Sequence, residues 1–264
     1  MKGALAIARK ELAVYFTTPV AWVMFMVVAF FAAQFFVGSL DAWRYLSLRA
    51  LETQDASVLE RMNVTDMVVA RVLGSTAVFV VMSAPFLSMR LIAEEKRTRT
   101  FELLLTSPVR PFAIVLGKYL AALGVLTAAL ALVAIFPALL AVFARGTQGG
   151  SGIEWPTVAT GFLGLFLLGA MALSLGMFVS SLTESVVVAA LVSLILLLAL
   201  WVVTIFAVGA EGPAKDLTTA LSASEHLTPF LQGRVELKDV VYYLSFVVLG
   251  LYLTDRAVEA QRWA

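Results

Sequence analysis

The chain contains no cysteine and a single histidine, His226. The first absence excludes a disulfide framework, a thiol nucleophile and a thiolate metal site. The second leaves His226 unable to make a metal site by itself. Charge is scarce as well. Only 14% of residues are Asp, Glu, Lys or Arg, and the net charge is +1. So neutral a balance gives no sign of a nucleic-acid partner. A soluble domain is usually about half apolar and about a quarter charged. This chain is 61% hydrophobic with a mean hydropathy of +0.94. The apolar excess is too large for one core in 264 residues, so the class is an all-α, multi-pass membrane protein.

Crossing a bilayer takes roughly 20 apolar residues in a helix. Six segments qualify: residues 20–40, 69–92, 114–143, 157–179, 185–208 and 240–254. The third is long enough to kink, and Pro137 is the kink site. The last is short. The first is too long for the apolar region of a signal peptide, and reads as a retained span. Ahead of it, residues 1–18 form an amphipathic helix at the inner interface. Leu5, Ala8, Leu12, Tyr15 and Phe16 share one face, while Arg9, Lys10 and Glu11 lie elsewhere. No repeat of 20–50 residues and no soluble domain is present.

Loop charge orients the chain with both termini in the cytosol. That choice puts the larger share of Lys and Arg inside, above all Lys96, Arg97 and Arg99. Residues 41–68 and 209–239 are then external. The Gly-rich loop GTQGGSG falls outside as well, and the short connection at residues 180–184 makes a tight inner hairpin of the fourth and fifth spans. Asn63-Val64-Thr65 matches a glycosylation sequon, a pattern common by chance and without meaning in a bacterial protein.

The span interiors hold almost nothing ionisable, which argues against a secondary transporter driven by protons or ions. Gln34 is the clearest polar side chain in mid-span and is the candidate pathway residue; helix packing is the blander use for it. Gly117-Lys118 resembles the end of a phosphate loop, yet no Ser or Thr follows the lysine. The chain therefore has no nucleotide site, and Lys118 marks the cytosolic end of the third span. An intramembrane enzyme would need a reactive constellation, and none is present. Small residues four apart, Gly117 with Ala121, Ala170 with Ser174 and Ala172 with Gly176, mark faces where helices approach closely.

Between the second and third spans lies RLIAEEKRTRTFELLLTSP, residues 90–108. Glu94, Glu95, Lys96, Arg97 and Arg99 make a dense patch of both signs. Thr98 or Thr100 then caps a short helix on which Phe101, Leu104 and Leu105 share an apolar face, with Glu102 on another. Ser107-Pro108 closes it. Such a helix seats its apolar face in a partner's cleft; the plainer alternative is a helix lying on lipid headgroups.

These residues resemble the ABC type-2 transporter permeases. The likeness rests on PFLSMRLIAEEKRTRTFELLLTSPV followed by Gly117-Lys118, on RKEL near the start, on SSLTES at residues 180–185, and on HLTPFLQGRVELKDVVYYLSF before the last span. The last block and the Met-Arg before Glu-Glu look closest to the gliding-motility branch. One position departs: the family often has Gly where Arg99 stands, which bears on the local turn. The resemblance implies a single permease domain over residues 1–264, with a coupling segment at 93–110 and an external re-entrant or gate segment at 209–239. It implies that Glu94, Glu95, Arg97, Thr100, Phe101, Glu102, Leu104 and Leu105 meet a separate ABC ATPase subunit. That partner would bind ATP and Mg, this chain holding no cofactor and being no enzyme by itself. A second permease subunit, identical or homologous, surrounding lipids and an auxiliary periplasmic subunit complete the implied partners. The implied location is the bacterial inner membrane, and the implied activity is export. The same scaffold used for force or signal transmission in the envelope is the alternative.

The orientation is open to direct test because the native chain has no cysteine to interfere. In a Thr98→Cys variant, an impermeant thiol reagent should react only after the cells are opened. Labelling in intact cells would invert the topology.

Overall fold

The computed structural model describes residues 2–53, 63–99, 111–143, 153–207 and 212–261. Within them the chain is helical throughout, with six helices long and apolar enough to cross a membrane. The chain opens with α1 (Lys2–Thr17) and turns at Thr18 into α2 (Pro19–Thr53). Proline disfavours helix at the residue before it, which sets the corner. Across the corner the Trp22 indole N–H donates to the Phe16 carbonyl at 2.9 Å.

The next crossing begins as a π-helical turn, Thr65–Ala70, and continues as α3 (Arg71–Ser88). A turn leads to the short α4 (Ala93–Arg97). The third crossing is α5 (Pro111–Val133) and α6 (Ile135–Phe143). They break at Ala134, one turn before Pro137, because Pro137 has no N–H to give the Val133 carbonyl and its ring crowds that oxygen. The fourth is α7 (Trp155–Leu182), with Pro156 in its first turn, and the fifth is α8 (Val186–Val202), ending in a 3₁₀ turn. Two short helices, α9 (Pro213–Leu221) and α10 (Ala223–Leu231), precede α11 (Leu237–Gln261).

Two boundaries and one buried face differ from the sequence reading. α2 runs on to Thr53 instead of stopping near residue 40, so much of the segment assigned to an external loop is helix. Its 35 residues extend about 52 Å, well beyond a hydrocarbon core of about 30 Å. Hydropathy locates the lipid-soluble stretch and is blind to a helix that continues into water. α11 likewise exceeds residues 240–254 at both ends. α1 has a different buried face from the one assigned: Ala4 and Tyr15 are buried, whereas Leu5 and Phe16 are exposed. The inward stripe includes Glu11, whose reason appears below.

α7 is the centre of the bundle. From Leu165 to Ser181 almost every side chain is buried, including Ser174, Ser180 and Ser181 at 0% exposure. A helix apolar on all sides belongs in the interior, and α3, α5, α8, α10 and α11 all pack on it. The approach is closest at small residues. A methyl group added at Gly176 would sit 2.0 Å from Ser88 Oγ, and one added at Gly164 would sit 2.6 Å from Phe230 Cβ. On α11, a Cβ at Gly250 would meet the carbonyl carbon and oxygen of Ser174 at 2.9 Å. α2, α8 and α11 carry exposed apolar faces, among them Trp22, Met26 and Phe30 on α2 and Val187, Leu191 and Ile195 on α8.

Gly250→Ala should therefore lower stability by about 1–3 kcal/mol, because backbone cannot move aside as a side chain can. Gly38→Ala, with nothing within 4 Å, should be neutral or slightly stabilising. Thermal denaturation of both variants in the same nanodiscs checks the contrast; equal midpoints would disprove the close approach.

Candidate functional site

The end of the bundle that carries α4 is tied together by three polar nodes. The first is Ser180 of α7. At Ile92 the backbone leaves the helix (φ −126°), so the N–H groups opening α4 have no partner within their own element. Ser180 Oγ accepts from Ile92 N at 3.2 Å and Ala93 N at 3.0 Å, and donates to the Met89 carbonyl at 2.8 Å. A serine 88 residues away in sequence thus does the work of a helix cap. Beside it, the Lys96 ammonium donates to the Ser181 carbonyl.

The second node ends α4. Thr98 closes α4: its N–H and its Oγ1 both donate to the Glu94 carbonyl, at 3.0 and 2.9 Å, while the helix that Thr98 or Thr100 was expected to open lies outside the described residues. The next residue, Arg99, takes the left-handed conformation with φ 55° and donates to the Lys96 carbonyl at 3.1 Å. This is the geometry in which a helix stop favours glycine. Arg99 replaces the expected Gly yet keeps its turn.

The third node is Lys118 of α5. Its side chain is 4% exposed, and its ammonium lies 2.8 Å from Glu95 Oε1 on α4 and 3.2 Å from Glu11 Oε1 on α1. Both carboxylates are largely shielded from water, each side chain being 15% exposed. Glu11 therefore faces inward on α1 because its counter-ion does. One turn further along α1, Tyr15 donates its hydroxyl to the Leu87 carbonyl at 2.7 Å. Burial, reinforced by the Glu11 carboxylate, pushes the Tyr15 phenol well above its usual range, so it stays a donor. A cavity of about 150 Å³ opens here, lined by Glu11, Tyr15, Thr18, Arg90 and Glu94 among others. Gly117 gives α1 its close seat, with the Ala4 carbonyl only 2.6 Å from where a Cβ would lie.

Of the residues singled out in the sequence, Glu95 is in the Lys118 node. Glu94 is held by Arg90 at 3.6 Å, one helical turn back. Arg97 is exposed at the end of α4. Thr100, Phe101, Glu102, Leu104 and Leu105 lie outside the described residues. Gln34 is elsewhere, on the exposed side of α2. Glu11, Tyr15, Lys118 and Ser180 are the residues that sequence reasoning missed. One signal was available: Ala4, Glu11 and Tyr15 lie on one stripe at helical spacing, opposite a lysine amid Gly117, Ala121 and Ala122.

The opposite end has its own polar junction. Asp239 of α11, 1% exposed, holds His226 of α10 at 2.6 Å, and the His226 ring stacks on Tyr242 with centroids 4.0 Å apart. Tyr242 and Tyr243 donate to the Leu221 and Ala223 carbonyls, both at 2.8 Å. Leu227 and Phe230 are buried beneath this junction, while Leu217 and Leu221 are exposed. Asn63 Nδ2 donates to Glu154 Oε1 at 2.8 Å, so the sequon asparagine is a structural tie between the starts of the second and fourth crossings.

Ser180→Ala should strand two buried N–H groups and cost about 1–3 kcal/mol. Hydrogen exchange should show the loss first at the amides of residues 92 and 93. Unchanged protection there would dismiss Ser180 as the cap.

A chain of six membrane-crossing helices, with its charge gathered beside α4 and packed small residues along its central helix, has the layout that the sequence resemblance implied. Comparison with curated proteins finds no match. The family model for ABC-2 family transporter proteins matches residues 5–262. That match covers nearly the whole chain, which belongs to the ABC-2 transporter family, whose members are membrane subunits that pair with an ABC ATPase.

Proposed function

We propose that this chain is the permease half of an ATP-driven exporter in a bacterial inner membrane, and that it is moved by an ATPase docked at residues 90–108. ATP and Mg bind to the partner; this chain supplies the pathway and the docking surface. A second permease subunit, identical or homologous, completes the pathway, and the exposed apolar faces of α2, α8 and α11 face lipid or that subunit. The α4 end is cytosolic in this reading, and α9 and α10 shape an outer gate.

The observation that carries the docking assignment is the way α4 is fixed. Ser180 and Lys118 hold a five-residue helix against α7 and α5, the Arg99 turn ends it, and Arg97 and Arg99 are left exposed beside the start of the next segment. A helix resting on headgroups needs no such anchoring; a surface that receives force does. Beyond it, Phe101, Leu104 and Leu105 have the i, i+3, i+4 spacing of an apolar face that fills a partner's cleft. Lys96 is bonded to the Ser181 carbonyl, so a distant exposed cation makes the better control.

Leu104→Asp should reduce ATPase co-purification by a factor of about 30, the effect of losing a buried anchor of about 2 kcal/mol. Arg9→Ala on the exposed side of α1 should change it little. The measurement is the ATPase retained on affinity-purified permease, with ATP turnover of the complex in nanodiscs. Full retention by Leu104→Asp would reduce residues 100–108 to a lipid-surface element and remove the docking reading.

A further inference from the structure

We infer that His226 is a proton-operated clasp: charged, it fastens the end of α9 to α11, and on losing a proton it lets that end go. Each ring nitrogen faces an acceptor. Nδ1 lies 2.6 Å from Asp239 Oδ1 on α11, and Nε2 lies 3.2 Å from the Ala220 carbonyl in the last turn of α9. A neutral imidazole has one N–H and one lone pair, so only the imidazolium donates from both nitrogens. In the neutral ring, with its proton kept on Nδ1 for Asp239, the Nε2 lone pair would point at the Ala220 oxygen. A bond would become a repulsion. The tie to α9 is therefore present in acid and is lost as pH rises through the titration of the ring.

Two further observations favour the charged ring. Asp239 is 1% exposed, and its Oδ2 is buried without a hydrogen-bond partner. A carboxylate so placed needs a counter-charge. Lys238, its neighbour in sequence, is exposed and turns to Glu236 at 2.7 Å. The His226 ring also stacks on Tyr242, 19° from parallel, an arrangement that attracts a cation. The other elements packed on α10 are α3, α7 and α8. α7 and α8 carry no titratable side chain, and Arg71, at the head of α3, is exposed. Lys215 and Asp216 of α9, Glu225 of α10 and Arg234 are exposed as well. The hydroxyls of Tyr242 and Tyr243 bond to the Leu221 and Ala223 carbonyls without using the His226 proton. Deprotonation thus frees α9 to pivot about Leu221, where Tyr242 still holds it. The clasp rests on the proposed function only for the side it faces. With α9 and α10 external, it reads the pH outside the cell.

The chain has one histidine and no cysteine, so both probes of the clasp are unambiguous. The first needs no variant: nitrogen NMR of the His226 ring in the full-length protein in nanodiscs. Spectra are taken at about pH 5.5 and about pH 9, on either side of the ordinary imidazole value of about 6.5. The ring should pass from protons on both nitrogens to a proton on Nδ1 alone. A neutral ring protonated on Nε2 instead overturns the inference, because the Ala220 bond would then survive. The second probe is a spin label on a Leu217→Cys variant, on the exposed side of α9. Its ratio of mobile to immobile signal should rise about tenfold over the same interval, the effect of losing one charge-assisted hydrogen bond. Adding His226→Gln should make that ratio independent of pH. A flat ratio with His226 present, or the same rise without it, overturns the inference. A nanodisc bathes both faces in one buffer, so neither result depends on orientation. Labelling of Thr98→Cys in intact cells would overturn the external placement and leave the clasp standing, turned to the cytosol.

Discussion

Close backbone contact along α7 is the constraint on which the other features depend. In hydrocarbon, apolar side chains gain little by leaving lipid for protein, so helices associate through packing at small residues and through hydrogen bonds between them. Gly161, Gly164, Gly169 and Gly176 open successive turns of α7 to α3, α5 and α10. Ser174 meets Gly250 of α11 from the same helix. Each polar node at the α4 end borrows its position from this packing. Ser180 reaches Ile92 only because Ser88 rests against Gly176 one turn earlier. A larger residue at that glycine would lift α3 away and leave the start of α4 without its cap.

Tertiary contact then overrides local expectation in a consistent way. Arg99 occupies a left-handed position, and in isolation that favours glycine by about 1–2 kcal/mol. The surrounding bonds from Thr98 to Glu94 and from Arg99 to Lys96 make the turn regardless. Glu11 would be an error on the inner face of any surface helix. Opposite Lys118 it is the complement of an otherwise intolerable buried charge. The His226 and Asp239 pair follows the same logic at the far end, where a nearly inaccessible carboxylate is matched by the one imidazole in the chain.

The spans were legible because the requirement behind them is local: about 20 apolar residues are needed wherever the chain crosses. The break near Pro137 was legible for a similar reason, since a missing N–H acts within one turn. Small-residue spacing marked Gly117, Ser174 and Gly176, each of which makes a close contact. The continuation of α2 to Thr53 was not legible, because a helix leaving the bilayer becomes polar and looks like a loop to hydropathy. Nor was the Lys118 node. Its members are separated by 107 and 23 positions, and no periodicity links residues on different helices. Lys118 looked like an ordinary span-end lysine, a role in which the ammonium would reach water; what keeps it dry is the seating of Ala4 and Ile7 over Gly117. The candidate docking face at Phe101, Leu104 and Leu105 rests on sequence spacing.

α8 has a narrow hold on its own subunit. Its buried residues are Ala189, Ser193 and Leu197, a single stripe one residue wide, while Val187, Leu191 and Ile195 face away. From Val186 to Ile205 the helix is about 30 Å long, close to the thickness of the hydrocarbon layer. A rod of that length, held along one line, has its tilt set by its packing on α3 and α7. Its foot is capped by Ser185, and its head is tied through the Trp201 carbonyl to Ser224, at the start of α10. A change in bilayer thickness therefore meets a helix already fixed by its neighbours, and the tether at Trp201 fastens its head to the helix beside the His226 junction.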